Sequence, residues 1–364
     1  MTTAYSGDGI TFPDNSVQAT APKVGMVNRI INGDMRIDQR NAGASVTPAN
    51  GVYTFITDRW AFSVNQTSKL TAQQSTTAPT GFTNSLLATS SSAYSLVATD
   101  TFVLTQKIEG FNCADFAWGT ANAQPVKVSF KVRSSLTGTF GGAIRNSASN
   151  RFYPFTYTVS SANTFEDKTV TIDGDTTGTW LTNNGTGLEL IFGLGVGSSY
   201  SGTAGAWTSS FKLSATGATS VVGTSGATFY VTGVQLEKGS TATDFEYVDY
   251  GRQLQMCQRY FWKIGGTASG EQIAMGLADA STQVSCITYF PVSMRATPTL
   301  GYNSASGFYV NDAAVQSTTT AISISNAGLL TTNITVTSSG LTTGRAVRFF
   351  IASTANYVSY SAEL

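Results

Sequence analysis

One change of period constrains this chain more than any other feature. Along most of its 364 residues, apolar and polar side chains alternate with a period of two, the mark of strands with one buried face. Between Phe229 and Phe261 the period switches once. Phe229–Leu236 reads as a strand and Gly239–Thr243 as a polar joint. Tyr250, Leu254, Cys257 and Phe261 then fall on one face of a helix, and Asp249 before them is a suitable N-cap. The pattern predicts two β-blocks joined through one short helix.

Before the switch, Val126, Val128, Phe130 and Val132 alternate with Lys127, Ser129, Lys131 and Arg133. Leu188, Leu190, Phe192, Leu194 and Val196 alternate with Glu189, Ile191, Gly193 and Gly195, and Phe102, Leu104, Gln106 and Ile108 give a weaker version. Turn-rich stretches such as Asp173-Gly174-Asp175 and Asn183-Asn184-Gly185 separate such strands. Short strands at this spacing imply an antiparallel sandwich or jelly roll. After the switch, Ile322/Ile324, Ile334/Val336 and Val347/Phe349/Ile351 alternate again, which predicts about five or six further strands. No fixed-period repeat points to a β-helix or propeller.

At 364 residues the chain exceeds one comfortable core. The expected fold class is all-β, in four parts: an N-terminal arm over 1–22, a jelly-roll domain over 23–247, a linking helix over 248–262 and a smaller C-terminal β-sandwich over 263–364. The arm is low in complexity, with one apolar beat at Ile10–Phe12 before a Pro13-Asp14-Asn15 turn. It cannot bury a core alone.

Only 12% of residues are charged, and 21 basic residues balance 21 acidic ones. Solubility must come from Ser, Thr, Asn, Gln and Gly. A balanced chain lacks the clustered cations that nucleic acid requires. No apolar run approaches the ~20 residues of a membrane span, and no basic amphipathic helix points to a membrane surface. The N-terminus lacks the cationic start and apolar run of a signal peptide, which implies synthesis in a cytoplasm without export.

Histidine is absent and the three cysteines, Cys113, Cys257 and Cys286, are widely spaced. This excludes Ser-His-Asp and Cys-His catalysis and argues against a zinc site or a disulfide scaffold. No cofactor is expected. Carboxylate-only glycosidase chemistry survives, because it needs just two Asp or Glu. Asp244, Glu246 and Asp249 cluster with Glu237 around the joint, where turn and cap roles are the alternative. Asp173 and Asp175 could seed a calcium site, but the later ligands of such a loop are missing and a plain turn is favoured. Gly193–Gly197 reads as strand or bulge glycine, since no helix follows it.

Sugars bind by stacking on aromatic faces while polar groups read their hydroxyls. Trp180, Tyr200 and Trp207 sit in Gly/Ser/Thr/Asn-rich stretches, as do Tyr302, Phe308 and Tyr309. These six are the candidate glycan contacts, and each is also open to loop packing or subunit contact. Trp60 and Trp262 read as core, while Trp118 is open.

Several segments resemble bacteriophage tail-fibre and receptor-binding proteins. They are Gly9–Ala21, Val27–Gly43 with Asp58-Arg59-Trp60, Gln235–Gly239, Ala242–Glu246, Cys257–Phe261, Phe290–Pro298 and the closing Ser361–Leu364. The resemblance covers about a quarter of the chain. It implies a carbohydrate-binding-module-like jelly roll followed by a C-terminal β-domain. It also implies a homotrimer on the virion, tail or head, that recognises a host surface polysaccharide or lipopolysaccharide. The arm would contact a tail or capsid protein. Ile10, Phe12, Val17, Tyr250, Leu254 and Phe261 are the expected assembly contacts, with the helix near a threefold axis. A purely structural virion protein and a capsule-degrading glycosidase are the alternatives.

Overall fold

The computed structural model describes residues 26–364 and the backbone of three short N-terminal strands, β1 (Ala4–Ser6), β2 (Gly9–Thr11) and β3 (Val17–Gln18). These pair antiparallel in the order β1-β2-β3. They carry Ile10 and Val17, whereas Phe12 lies outside the described residues. The remainder is all-β with one α-helix.

The first block contains β4 (Tyr53–Thr57), β5 (Trp60–Val64), β6 (Leu70–Ser75), β7 (Ser85–Ser90), β8 (Thr101–Glu109), β9 (Val126–Ser134) and β10 (Gly138–Arg145). It continues with β11 (Phe152–Val159), β12 (Glu166–Ile172), β13 (Thr186–Val196), the very short β14 (Ser201–Gly202) and β15 (Ser214–Ala215), and β16 (Thr228–Lys238). A six-stranded sheet of order β11-β10-β13-β8-β5-β4 faces a five-stranded sheet of order β12-β9-β16-β7-β6. Their inner faces share one core. Phe130 of one sheet meets Phe192 and Tyr157 of the other with ring centroids 5.0 and 4.9 Å apart. Trp60 is wholly buried there and donates its indole N–H to Asn32 O at 2.9 Å.

The clean alternation of β9 is realised: Val126, Val128, Phe130 and Val132 are buried, and their polar neighbours are half-buried. In β13 both faces are buried, because the loop from Gly197 to Leu213 folds over the outer one. Close neighbours leave no room for side chains at the glycines of the run Gly193–Gly197. A Cβ on Gly193 would stand 2.8 Å from Ser214 Oγ, and one on Gly197 would stand 2.2 Å from Val97 O.

The helix α1 (Tyr250–Gln258) follows, with the Asp249 carboxylate accepting from Arg252 N at 2.9 Å. It is shorter than the sequence spacing predicts, since Phe261 begins a strand instead. The shared apolar face is also corrected. Cys257 and Gln253 are buried, Leu254 is partly buried, and Tyr250 is 57% exposed. Strand pairing after Arg259 takes Phe261 off the helix and into the strand Phe261–Gly265. Cys257, Leu254 and Met256 pack on Ile31, Ile37 and Tyr260 of the same chain.

The last block contains β17 (Phe261–Gly265), β18 (Gln272–Ala280), β19 (Gln283–Tyr289), β20 (Thr299–Tyr302) and β21 (Phe308–Asn311). It ends with β22 (Gln316–Thr318), β23 (Ala321–Ser325), β24 (Thr331–Thr337), β25 (Ala346–Ile351) and β26 (Tyr357–Ser361). A seven-stranded sheet, β22-β21-β25-β18-β19-β24-β23, and a three-stranded one, β17-β26-β20, share a second core. The extra strands beyond the expected five or six are short and polar, with too little alternation to read. Trp262 is partly buried and stacks on Tyr360 at 5.4 Å.

Between the blocks the structure gathers most of the fibre-like segments. Asn28 donates its backbone N–H to Glu246 and its side-chain amide to Val234 O, and accepts from Leu236 N. Glu363 pairs with Arg40 at 2.6 Å and also with Arg59. Arg295 donates to the carbonyls of Ala362, Glu363 and Asn184 at 2.7 to 2.9 Å. Glu109 accepts from Arg259 and from the Tyr260 hydroxyl, both at 2.6 Å. Burial alone would raise Glu109, but these bonds outweigh it and hold its carboxyl below the usual range. Asp58 accepts from Gln39 and is wholly buried, and burial pushes it up to about 7.

Candidate functional site

The outer face of the six-stranded sheet carries an open groove of about 250 Å³. Register builds its floor. Ser63 of β5 lies opposite both Tyr53 of β4 and Val103 of β8, and Glu189 of β13 lies opposite Arg145 of β10. Side chains on alternate positions share a face, so Tyr53, Ser63, Thr101, Val103, Arg145, Glu189 and Ile191 all reach the groove. The Gly197–Leu213 loop supplies one wall through Tyr200, Phe211 and Leu213. That wall is braced by aromatic packing: Phe211 lies 5.1 Å from both Phe152 and Tyr200, edge to face. Phe211 remains 38% exposed.

The charge in this groove is internally balanced. Arg145 Nε donates to Glu189 at 2.7 Å, its NH2 to the Tyr53 hydroxyl at 3.1 Å and its NH1 to Ser149 at 3.0 Å. Glu189 also accepts from Thr105 at 2.7 Å and from Tyr53 at 3.3 Å. Burial would lower Arg145, but the charge and bonds of Glu189 overcome it and raise its pKa. Burial, then the charge of Glu189, push Tyr53 up to about 12, so its hydroxyl keeps its proton. Phe211 lies 5.9 Å from the guanidinium carbon. What faces solvent is therefore aromatic surface and the hydroxyls of Ser63, Thr99, Thr101 and Tyr200, none of which is hydrogen-bonded through its side chain within the described residues. Glu189 is the one carboxylate in the lining.

Of the six candidate glycan contacts, the groove takes Tyr200. Trp180 and Trp207 meet each other and Trp118 instead, with centroids 4.6 to 5.4 Å apart, all edge to face. Each indole N–H is bonded to a backbone carbonyl, of Gln124, Thr177 or Asp173. Tyr302 is exposed on β20 and Tyr309 is half-buried on β21. Phe308 is corrected: at 0% exposure, packed 5.4 Å from Phe349, it is out of reach of any ligand. It opens a strand rather than lying in a loop, so alternation turns it inward and Tyr309 outward. The sequence reading missed Phe211, which shares its polar loop with Tyr200 and Trp207. It also missed Tyr53 and Arg145.

Of the other candidate carboxylates, Asp173 and Asp244 are exposed, and Asp175, Glu237 and Glu246 have structural partners. Asp175 is buried and held by Arg151 at 2.6 and 2.7 Å, with Thr177 also bonded to it. Glu237 accepts from Thr243, and Glu246 from Asn28. Among the described residues no group of three or more His, Cys, Asp or Glu is placed to hold a metal ion.

No family model matches this chain, and no curated protein matches it. Solved structures overlap part of it. The enzymatically active domain of bacteriophage CBA120 tailspike protein 4 is 14% identical over 58% of this chain and 21% of its own, with a TM-score of 0.31. A family 11 carbohydrate-binding module from Clostridium thermocellum, in complex with a mixed-linked tetrasaccharide, is 11% identical over 56% of this chain and 98% of its own, with a TM-score of 0.27. With TM-scores this low, these overlaps carry no argument about what the chain does.

Proposed function

We propose that this chain is a non-enzymatic phage virion fibre subunit that holds a host-surface glycan in the groove of its six-stranded sheet. The observation that carries the reading is the groove itself: open, walled by Tyr200 and Phe211, and lined with uncommitted hydroxyls. That is the composition that sugar binding calls for. Its lone carboxylate is neutralised by Arg145, whereas glycoside hydrolysis needs an acid and a second carboxylate across the bond. The virion role is supported by the fibre-like segments among residues 26–364, which meet at one joint through Asn28, Arg40, Arg59, Leu236, Glu246, Arg259, Arg295 and Glu363. On a homotrimer, sites that are weak singly would gain roughly 10²–10⁴-fold in apparent affinity when geometry allows. The arm would attach the subunit to a tail or capsid protein.

The test is a glycan array with the wild type and with Tyr200→Ala and Phe211→Ala. Each truncation removes an aromatic contact and should weaken retention roughly 3- to 10-fold, read below the thermal midpoint of each variant. Wild-type protein that retains no glycan would leave the second reading, a purely structural virion protein. The exposed apolar face of the seven-stranded sheet, with Met275 68% and Tyr289 72% exposed, favours that reading.

A further inference from the structure

We infer that the groove selects neutral sugars and rejects acidic ones, and that Glu189 sets this selection. The inference rests on the glycan reading of the groove. A site built for a uronic or sulfated sugar needs a cation with donors to spare. Here the sole cation in the lining is Arg145, and contacts with Glu189, Tyr53 and Ser149 take up four of its five N–H donors. Both charged side chains are withdrawn, at 15% and 4% exposure. The Phe211 ring lies 5.9 Å from the guanidinium carbon. An acidic sugar would give up its water, meet no free positive charge, and approach a carboxylate that already holds the guanidinium. A neutral sugar loses nothing by this arrangement. It stacks on Phe211 or Tyr200 and exchanges hydrogen bonds with hydroxyls. The ion pair then has a positioning role. It fixes Tyr53 and the sheet floor without presenting charge. Lys107, opposite Glu189 on the same face of the sheet, is already engaged: its ammonium donates to Leu364 O at 3.0 Å and sits 3.9 Å from the Tyr53 ring. Lys212, beyond the wall, donates to Ser199 O.

The experiment compares neutral oligosaccharides with uronic and sulfated ones on the full-length protein, between about 50 and about 500 mM salt, a range over which exposed charge attraction is screened out. Neutral sugars should bind with salt-independent affinity, and acidic ones should bind at least roughly 10-fold more weakly, the scale of a charge-assisted bond that cannot form. Glu189→Gln keeps the shape of the side chain and frees the guanidinium. It should raise acidic-sugar binding roughly 10-fold at low salt relative to neutral-sugar binding by the same variant. The thermal midpoint of Glu189→Gln, measured alongside, tells a loss through misfolding from a change in selection. Tight, salt-sensitive binding of an acidic sugar by the wild type, abolished by Arg145→Met, would overturn the inference while leaving the groove as a glycan site. Failure of both sugar classes to bind would remove the glycan reading itself.

Discussion

Asp58 shows how a single residue of the joint carries a measurable signature. It is buried beside Arg40 and Gln39, with Glu363 and Cys257 nearby. Burial raises its folded-state pKa to about 7, against about 3.9 in an unfolded chain. The folded state therefore holds the proton more tightly. Its contribution to stability is complete below about pH 4 and is lost as pH rises to about 7. Other carboxylates oppose this slope: bonds to Lys168 hold Glu166 low, and bonds to Thr267 hold Glu271 low. The comparison that isolates Asp58 is with Asp58→Asn. The stability lost in that variant, measured by denaturant unfolding, should be larger near pH 5 than near pH 8. A loss that grows with pH would refute the assignment. At the same scale, Phe308 marks a limit of sequence reading. Gly, Ser and Asn around an aromatic suggest a loop, yet one step of alternation decides which of Phe308 and Tyr309 faces water.

Strands were legible even where both faces are buried, as in β13 and β16, but what covers the second face was not. The alternation of β9 and the cap of α1 could be read directly, because each depends on neighbours in sequence. The groove could not. Tyr53, Arg145 and Glu189 lie on three strands, and only the sheet order brings them together. Glu189 reads as a solvent-facing residue of β13 until the Gly197–Leu213 loop covers that face. The joint is a similar case, since Glu109 at the end of β8 gives no hint of its partners Arg259 and Tyr260. Removing one partner of a buried pair leaves the other uncompensated, at about 3–5 kcal/mol. Arg259 is 33% exposed, so Glu109→Gln should cost less, about 2 kcal/mol after solvent screening. It should also open the 239–249 connection to limited proteolysis. Unchanged stability and unchanged cleavage would mean that the two blocks do not depend on this contact.

For the whole molecule, the low charge that guided the sequence reading finds a place on the seven-stranded sheet. Its outer face exposes Met275 and Leu277 of β18 and Ile287 and Tyr289 of β19 on adjacent paired strands. Scattered apolar residues on a surface are ordinary, but a contiguous patch on a sheet face is the kind of surface that subunits cover. A balanced chain of 21 positive and 21 negative residues does not repel its own copies. Three copies sharing this face would remove it from water, whereas a monomer would keep it wet. Light scattering of the wild type should therefore give three times the chain mass. Ile287→Lys combined with Tyr289→Lys should give the single-chain mass. Surface substitutions away from a core usually shift stability by about 0.5 kcal/mol or less, so the thermal midpoint of each chain should change little apart from the loss of assembly. A double variant that remains trimeric would move the contact to the arm or to the exposed side of α1 at Tyr250, and a monomeric wild type would rule out self-assembly as the explanation for the patch.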